Sequence, residues 1–423
     1  MRNRFLVLIA LVFVFKLNAQ NQVEIIPNST DSRVITTGVP FLLIASDARA
    51  AALGDMGVAT SVDAFSQNWN PSKYTFSTFK SGIGVSYTPY LSKLVNDIFL
   101  GNLTYYNRLN ERSAFAASFK YFSLGEIEIT DLTGTVLENV KPNEFAIDAT
   151  YSLKLGDQFA MAVTGRFLTS DLKINAVDPD AGSASSFAVD ISGYYQSEEN
   201  AYSDFNGRWR AGFALQNIGP KIQYDPNSPQ ENFLPTTMRL GGGFDFIFDE
   251  YNKLAVTAEI AKLLVPTPPI TGTRLEYQNN DGNEGYTPAA DPNNPQPGED
   301  VFVSEDENYI IDGKDPDVNF ISGIFQSFGD APGGFSEELK EFTWALSAEY
   351  LYQDSFAIRA GFFNESEDKG ARKFFGLGAG FKYNVANIDI SYLFSASKVQ
   401  SPLEGTLRFS LSFNLGDGEY SEY

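Results

Sequence analysis

The chain has 423 residues, neither histidine nor cysteine, and a formal net charge of −22. That inventory excludes Ser-His-Asp hydrolysis, ordinary zinc, haem and iron-sulfur centres, a lipoprotein signal and disulfides. Its acidity argues against binding a phosphate backbone, so the expectation is no nucleic acid, no cofactor and no metal.

The chain opens with Arg2 and Arg4, an apolar run from Phe5 to Phe15, and Leu17-Asn18-Ala19 before Gln20, the order of a secretory signal over residues 1–19. This run falls short of the roughly 20 apolar residues that a spanning helix needs, and no later segment is long enough. Residues 20–78 hold apolar and small side chains without strand alternation, notably Phe41-Leu42-Leu43-Ile44 and then Ser46 to Asp55. Ser46 or Asp47 is expected to cap a short helix that ends at Gly54, and Asn70-Pro71-Ser72 to make a turn.

From Phe79 to Leu415 the chain reads as fourteen stretches of alternating apolar and polar residues. In the last stretch Leu407, Phe409, Leu411, Phe413 and Leu415 share one face, while Thr406, Arg408, Ser410, Ser412 and Asn414 share the other. The proposed outward set is large and aromatic: Phe145, Ile147, Phe187, Trp209, Trp344, Phe356 and Ile358 are examples. In water such a belt would drive aggregation, whereas lipid accommodates it. Tyr90, Tyr106, Tyr350, Tyr352 and Tyr383, near strand ends, suit interfacial girdles. The inward set carries both signs of charge, including Asp148, Arg166, Asp190, Arg210, Arg239, Glu259, Glu349, Arg359, Lys382, Asp389 and Arg408. Ion pairing accounts for these, leaving no catalytic carboxylate pair to assign.

Connections after even-numbered strands are mostly short, such as Leu155-Gly156, Gln353-Asp354 and Asn384-Val385, and those after odd-numbered strands are longer. This parity predicts an all-β, 14-stranded antiparallel transmembrane β-barrel with both termini in the periplasm and its long loops at the cell surface. A barrel of this width needs a plug, so residues 20–78 are expected to fold back as a hatch inside the lumen, with residues 79–415 forming the wall. Residues 416–423 remain as a periplasmic tail.

One connection, Val265 to Glu341, has 77 residues and carries 16 Asp and Glu against three Lys and Arg. Its prolines and lack of sustained alternation exclude it from the wall. Two portions are apolar enough to need cover: Val318 to Phe328, and Phe335 to Phe342, where Ser336 is a candidate helix cap. Phe320, Ile321, Ile324, Phe325 and Phe328 are therefore candidates for docking on a partner or on substrate, or alternatively for closing the barrel mouth. Asn280 to Glu284 and Asp312 to Asp317 are oxygen-rich, but neither has the full calcium-loop pattern, and turn chemistry explains both.

Phe41-Leu42-Leu43-Ile44-Ala45, Asp47-Ala48-Arg49-Ala50 and Leu53-Gly54-Asp55-Met56-Gly57-Val58-Ala59-Thr60, followed by Asn70-Pro71-Ser72, resemble the N-terminal hatch of the PorV family. That family is a branch of the FadL-like fourteen-stranded barrels and serves the type IX secretion system of Bacteroidota. The resemblance covers essentially the whole chain after the signal. It makes Phe41, Leu42, Leu43, Ile44, Asp47, Arg49, Gly54, Asp55, Gly57, Asn70 and Pro71 hatch positions, as structural elements only. It implies a non-enzymatic role beside the translocon barrel SprA (Sov), receiving exported proteins by their C-terminal signal domain and carrying them to a surface complex with the sortase PorU. Outer-membrane lipid is the expected surround. Transport of a small hydrophobic molecule, the role of FadL-like barrels at large, is the alternative, with a greasy pocket beside Phe41 to Ile44. A general diffusion pore is the third reading.

Overall fold

The computed structural model describes residues 21–28, 32–173, 182–225, 227, 230–279, 285–291, 296, 299–397 and 403–417. Residues 1–20, with the secretory signal read from the sequence, lie outside them, as does Asn280 to Glu284. No helix among the described residues is long and apolar enough to cross a membrane.

Fourteen strands make the wall: β1 (Phe79–Pro89), β2 (Ile98–Arg108), β3 (Ser113–Leu124), β4 (Asn143–Lys154), β5 (Phe159–Asp171), β6 (Ala184–Gln196) and β7 (Asn206–Ile218). They continue as β8 (Thr237–Ile247), β9 (Asn252–Leu263), β10 (Phe342–Tyr352), β11 (Phe356–Asn364), β12 (Lys373–Tyr383), β13 (Ala386–Ser395) and β14 (Leu407–Asp417). Each pairs antiparallel with the next, and β14 pairs with β1 from Phe79↔Asp417 to Tyr87↔Phe409, which closes the ring. Closure matters because an unpaired strand edge is not tolerated in hydrocarbon. The wall runs to Asp417, two residues past the expected end.

In the three-residue connection between β10 and β11 both Gln353 and Asp354 have positive φ, 53° and 46°, the backbone twist that a tight hairpin requires. Alternation decides the two faces. Phe187, Val163, Ile358 and Trp209 are exposed on the outside, whereas Asp148, Arg166, Asp190, Glu259 and Arg408 are buried inside. Tyr350, Tyr352 and Tyr383 are exposed as a girdle requires. Tyr106 is not a girdle residue: its neighbour Tyr105 takes the outward position, and Tyr106 turns in to stack on Tyr74 with ring centroids 4.5 Å apart. Tyr90 likewise packs inward, edge-on to Phe122 at 5.5 Å.

The chain divides into two units. The barrel unit, residues 34–267 and 317–423, includes the hatch. The N-terminal portion of the barrel unit begins at Val34. The other unit is a three-stranded antiparallel sheet in which Ile270–Gln278 lies between Asn21–Pro27 and Val301–Asp312. The long excursion thus contains strands that its sequence does not announce. In Val301–Asp312, Glu305, Asp306 and Glu307 are all exposed, so backbone pairing holds the strand without a buried face to impose alternation.

Candidate functional site

The hatch is assembled from short pieces that fit the inner wall. Pro40–Leu43 forms a 3-10 turn whose Phe41 and Leu42 are buried with Leu100, Phe122, Leu168, Ile222 and Leu234. Helix α1 (Ala48–Ala52) follows, capped by Asp47, whose Oδ1 accepts the Ala50 N–H at 2.8 Å while Oδ2 accepts Trp69 Nε1 at 2.9 Å. Burial, and after it the Asp63 carboxylate, holds the Asp47 carboxyl above the ordinary range. Gly54, at φ +81°, ends the helix as the sequence predicts. Asn70 caps the 3-10 helix Pro71–Phe76, and its Nδ2 donates to Val58 O at 2.8 Å and to Gly193 O of the wall at 2.9 Å.

Charges tie this segment to the wall. Arg49 makes a bidentate pair with Glu349, Nε–Oε1 3.0 Å and Nη2–Oε2 2.7 Å, and its Nη1 reaches Asp63 at 2.7 Å. Glu349 also accepts Arg359 Nε at 2.6 Å, and Arg359 continues to Asp389 at 2.5 Å. Glu259 Oε2 receives the N–H groups of both Gly57 and Val58 at 2.9 Å, and its Oε1 receives Arg239 at 3.0 Å. Asp55 lies 3.3 Å from Arg408, and Arg210 donates to Ala59 O at 2.6 Å while pairing with Asp245. Lys73 donates to Gly57 O at 2.8 Å, and burial pushes its ammonium down to about 8. Two wall glycines allow the close approach: a Cβ on Gly212 would fall on the Val58 carbonyl, and one on Gly361 on the Leu53–Gly54 peptide. A separate wall cluster, Asp148–Arg166–Asp190, has no hatch member.

The eleven positions singled out in the sequence all lie within the 34–78 segment whose contacts with the wall are described above. Their wall partners Glu349, Glu259 and Arg408 were visible only as inward charges, because pairs separated by hundreds of residues leave no local pattern. The cavity beside Leu43 has a volume of about 70 Å³ and a mixed lining, with Ile35, Leu263 and Phe363 beside Asp55, Arg239 and Arg372.

At the rim where the long connections emerge, two helices form a cap. In α2 (Phe320–Gln326) Asn319 is the N-cap, its Oδ1 accepting Ser322 N–H at 3.0 Å. Phe320 and Ile324 are half-buried, but Ile321, Phe325 and Phe328 are exposed, Phe325 at 74%. Helix α3 (Phe335–Lys340) adds exposed Phe335 and Leu339, within the 335–342 portion that the sequence marks as apolar. Ser336 does not cap it; Gly334 occupies that position, and Ser336 Oγ donates to Gly333 O instead. Beneath the cap, buried Lys262 contacts Glu338 at 3.2 Å and also Glu341, while Lys369 reaches Glu341 at 2.9 Å and Glu337 at 2.7 Å. Burial raises the Asp330 carboxyl, which accepts the Thr267 N–H at 3.0 Å. In the oxygen-rich 312–317 run, Asp312 accepts the Gly313 N–H and Asp317 pairs with Lys221, the turn and surface chemistry expected of them.

Residues 27–270 match the family described as type IX secretion system protein PorV, more than half of the chain. The chain belongs to the PorV family. It is accordingly an outer-membrane component of the type IX secretion system. No curated protein matches this PorV-family sequence. Among solved structures it is similar to the toluene transporter TodX of Pseudomonas putida, at 10% identity and TM-score 0.46 over 92% of this chain and 100% of that one. It is also similar to a FadL homologue of Pseudomonas aeruginosa, at 12% identity and TM-score 0.41 over 92% and 100%. Likenesses so distant do not bear on what this chain binds.

Proposed function

We propose that this PorV-family barrel is a non-enzymatic docking partner. It receives exported proteins by their C-terminal signal domain at the SprA (Sov) translocon and passes them to the PorU sortase complex, with its long loops at the cell surface. The observation that carries this reading is the exposed apolar cap, Ile321, Phe325, Phe328, Phe335 and Leu339, set on an ion-latched base at the long-loop rim. Exposed aromatic clusters with a rigid support are what a protein partner recognises. The lumen supports the same reading, since residues 34–78 are tied to the wall by buried charge and the cavity beside Leu43, about 70 Å³, is too small for a hydrophobic cargo. The same cavity weighs against the alternative, a FadL-like transporter of a small hydrophobic molecule.

The test replaces Phe325, Phe328 and Phe335 together by Ser, with barrel assembly verified by heat-modifiable gel mobility. Loss of translocon co-purification and of secretion, with normal assembly, is the expected result. Unchanged secretion by the assembled variant would overturn the docking role, and impaired uptake of a labelled long-chain lipid with intact secretion would favour the transporter.

A further inference from the structure

The path of the hatch has a direction. Its first residues sit at the long-connection rim: Gly38 N–H donates to Phe233 O at 2.9 Å, and Phe41 packs on Leu100 and Phe122. Its last residues sit at the short-turn rim, where Arg108 donates to Ser77 O at 2.5 Å and the Lys154 ammonium lies 4.5 Å from the centre of the Phe76 ring. The polypeptide therefore arrives at Val34 from the side of the long connections and runs the length of the lumen before β1 begins.

The segment ahead of Val34 carries a second, independent mark of the same side. Asn21–Pro27 pairs over seven residues with Ile270–Gln278, from Asn21↔Gln278 to Pro27↔Gly272. Side chains add to the ladder: Asn21 Nδ2 donates to Glu276 at 3.0 Å, and Glu24 accepts the Tyr286 N–H at 2.8 Å. Ile270–Gln278 belongs to the connection that leaves the wall after β9 and returns at β10, a connection between long-loop ends.

We propose that the leading strand Asn21–Pro27 lies outside the cell, so that the hatch is anchored on both sides of the outer membrane. Its leading end is zipped into a surface sheet, and its trailing end continues into β1 at the periplasmic rim. This inference rests on the surface orientation of the long loops proposed above. It places the two ends of the described chain on opposite sides of the membrane, where the loop parity alone had put both termini in the periplasm. It also gives the strand a task. Withdrawing the hatch into the periplasm would require unzipping the whole pairing with Ile270–Gln278, so the plug is held against expulsion in that direction and the lumen stays shut.

The absence of cysteine makes the test clean. Three full-length single-cysteine variants are treated on intact cells with a membrane-impermeant maleimide: Val23→Cys in the leading strand, Leu132→Cys in the long connection after β3, and Gly156→Cys in a short turn. All three must label on the purified protein in detergent. The proposal expects Val23→Cys to label on intact cells to the extent of Leu132→Cys, with labelling of Gly156→Cys lost until the outer membrane is permeabilised. Labelling of Val23→Cys only after permeabilisation, alongside Gly156→Cys, overturns the proposal. Labelling of Gly156→Cys with protection of Leu132→Cys shows instead that the orientation of the barrel is reversed, and removes the reading on which the proposal rests.

Discussion

Arg49 joins Glu349 of the wall, 300 residues away in the chain, to Asp63 and the Ser61 carbonyl of its own segment. Such a guanidinium is stable only while all its partners remain, because removing one member of a buried pair leaves an uncompensated charge. Arg49→Met is expected to destabilise the seated hatch by about 3–5 kcal/mol, read as a lower temperature for the heat-modifiable gel transition and as new current in planar bilayers. Lys73 makes a prediction of opposite character. Burial lowers its folded value to about 8 against an ordinary 10.5, so between those pH values the folded protein has released a proton that the unfolded chain still holds. Stability contributed by this site must then rise as pH increases through that window. Compared with Lys73→Met, the parent protein should gain thermal stability from pH 8 to pH 10.5, and a difference that stays flat or falls would exclude this assignment.

Among the elements, the strands were the most legible from sequence, since a period of two over ten residues with lipid on one side leaves little choice of face. The same rule corrects Tyr106, which proximity to a strand end had suggested for the girdle and which parity turns inward. Helix α1 was legible through Asp47 and Gly54, because a cap and a left-handed terminus are local chemistry. The leading strand and its partner were not, as Asn21–Pro27 meets Ile270–Gln278 across about 250 residues and neither alternates against a core. The latch beneath α3 escaped for a related reason: Lys262, Lys369 and Glu341 come from three separate elements. At the element scale the sharpest test is Gly361→Val on β11. Its side chain would collide with the Leu53–Gly54 peptide, and overpacking of about 1–3 kcal/mol is expected from such a forced fit. The measurement is protease sensitivity of the 34–78 segment in detergent, which should rise while the wall stays resistant.

At the scale of the whole molecule, the wall separates two media and the hatch is fitted to one of them. The outer face is an apolar band, the inner face a set of charges matched partly by residues 34–78 and partly within the wall. The acidic excursion from Val265 to Glu341 contributes its own sheet through Ile270–Gln278 and Val301–Asp312 and its own apolar surface through α2 and α3. The lumen segment, the acidic sheet and the exposed apolar surface thus come from different parts of one chain.

The bare glycine positions on β7 and β11 act as notches cut for particular peptide groups of the plug. A notch admits its tooth at one register only, so sliding by a single residue would bring side chains where the tube wall has no room for them. The stopper is consequently unable to creep.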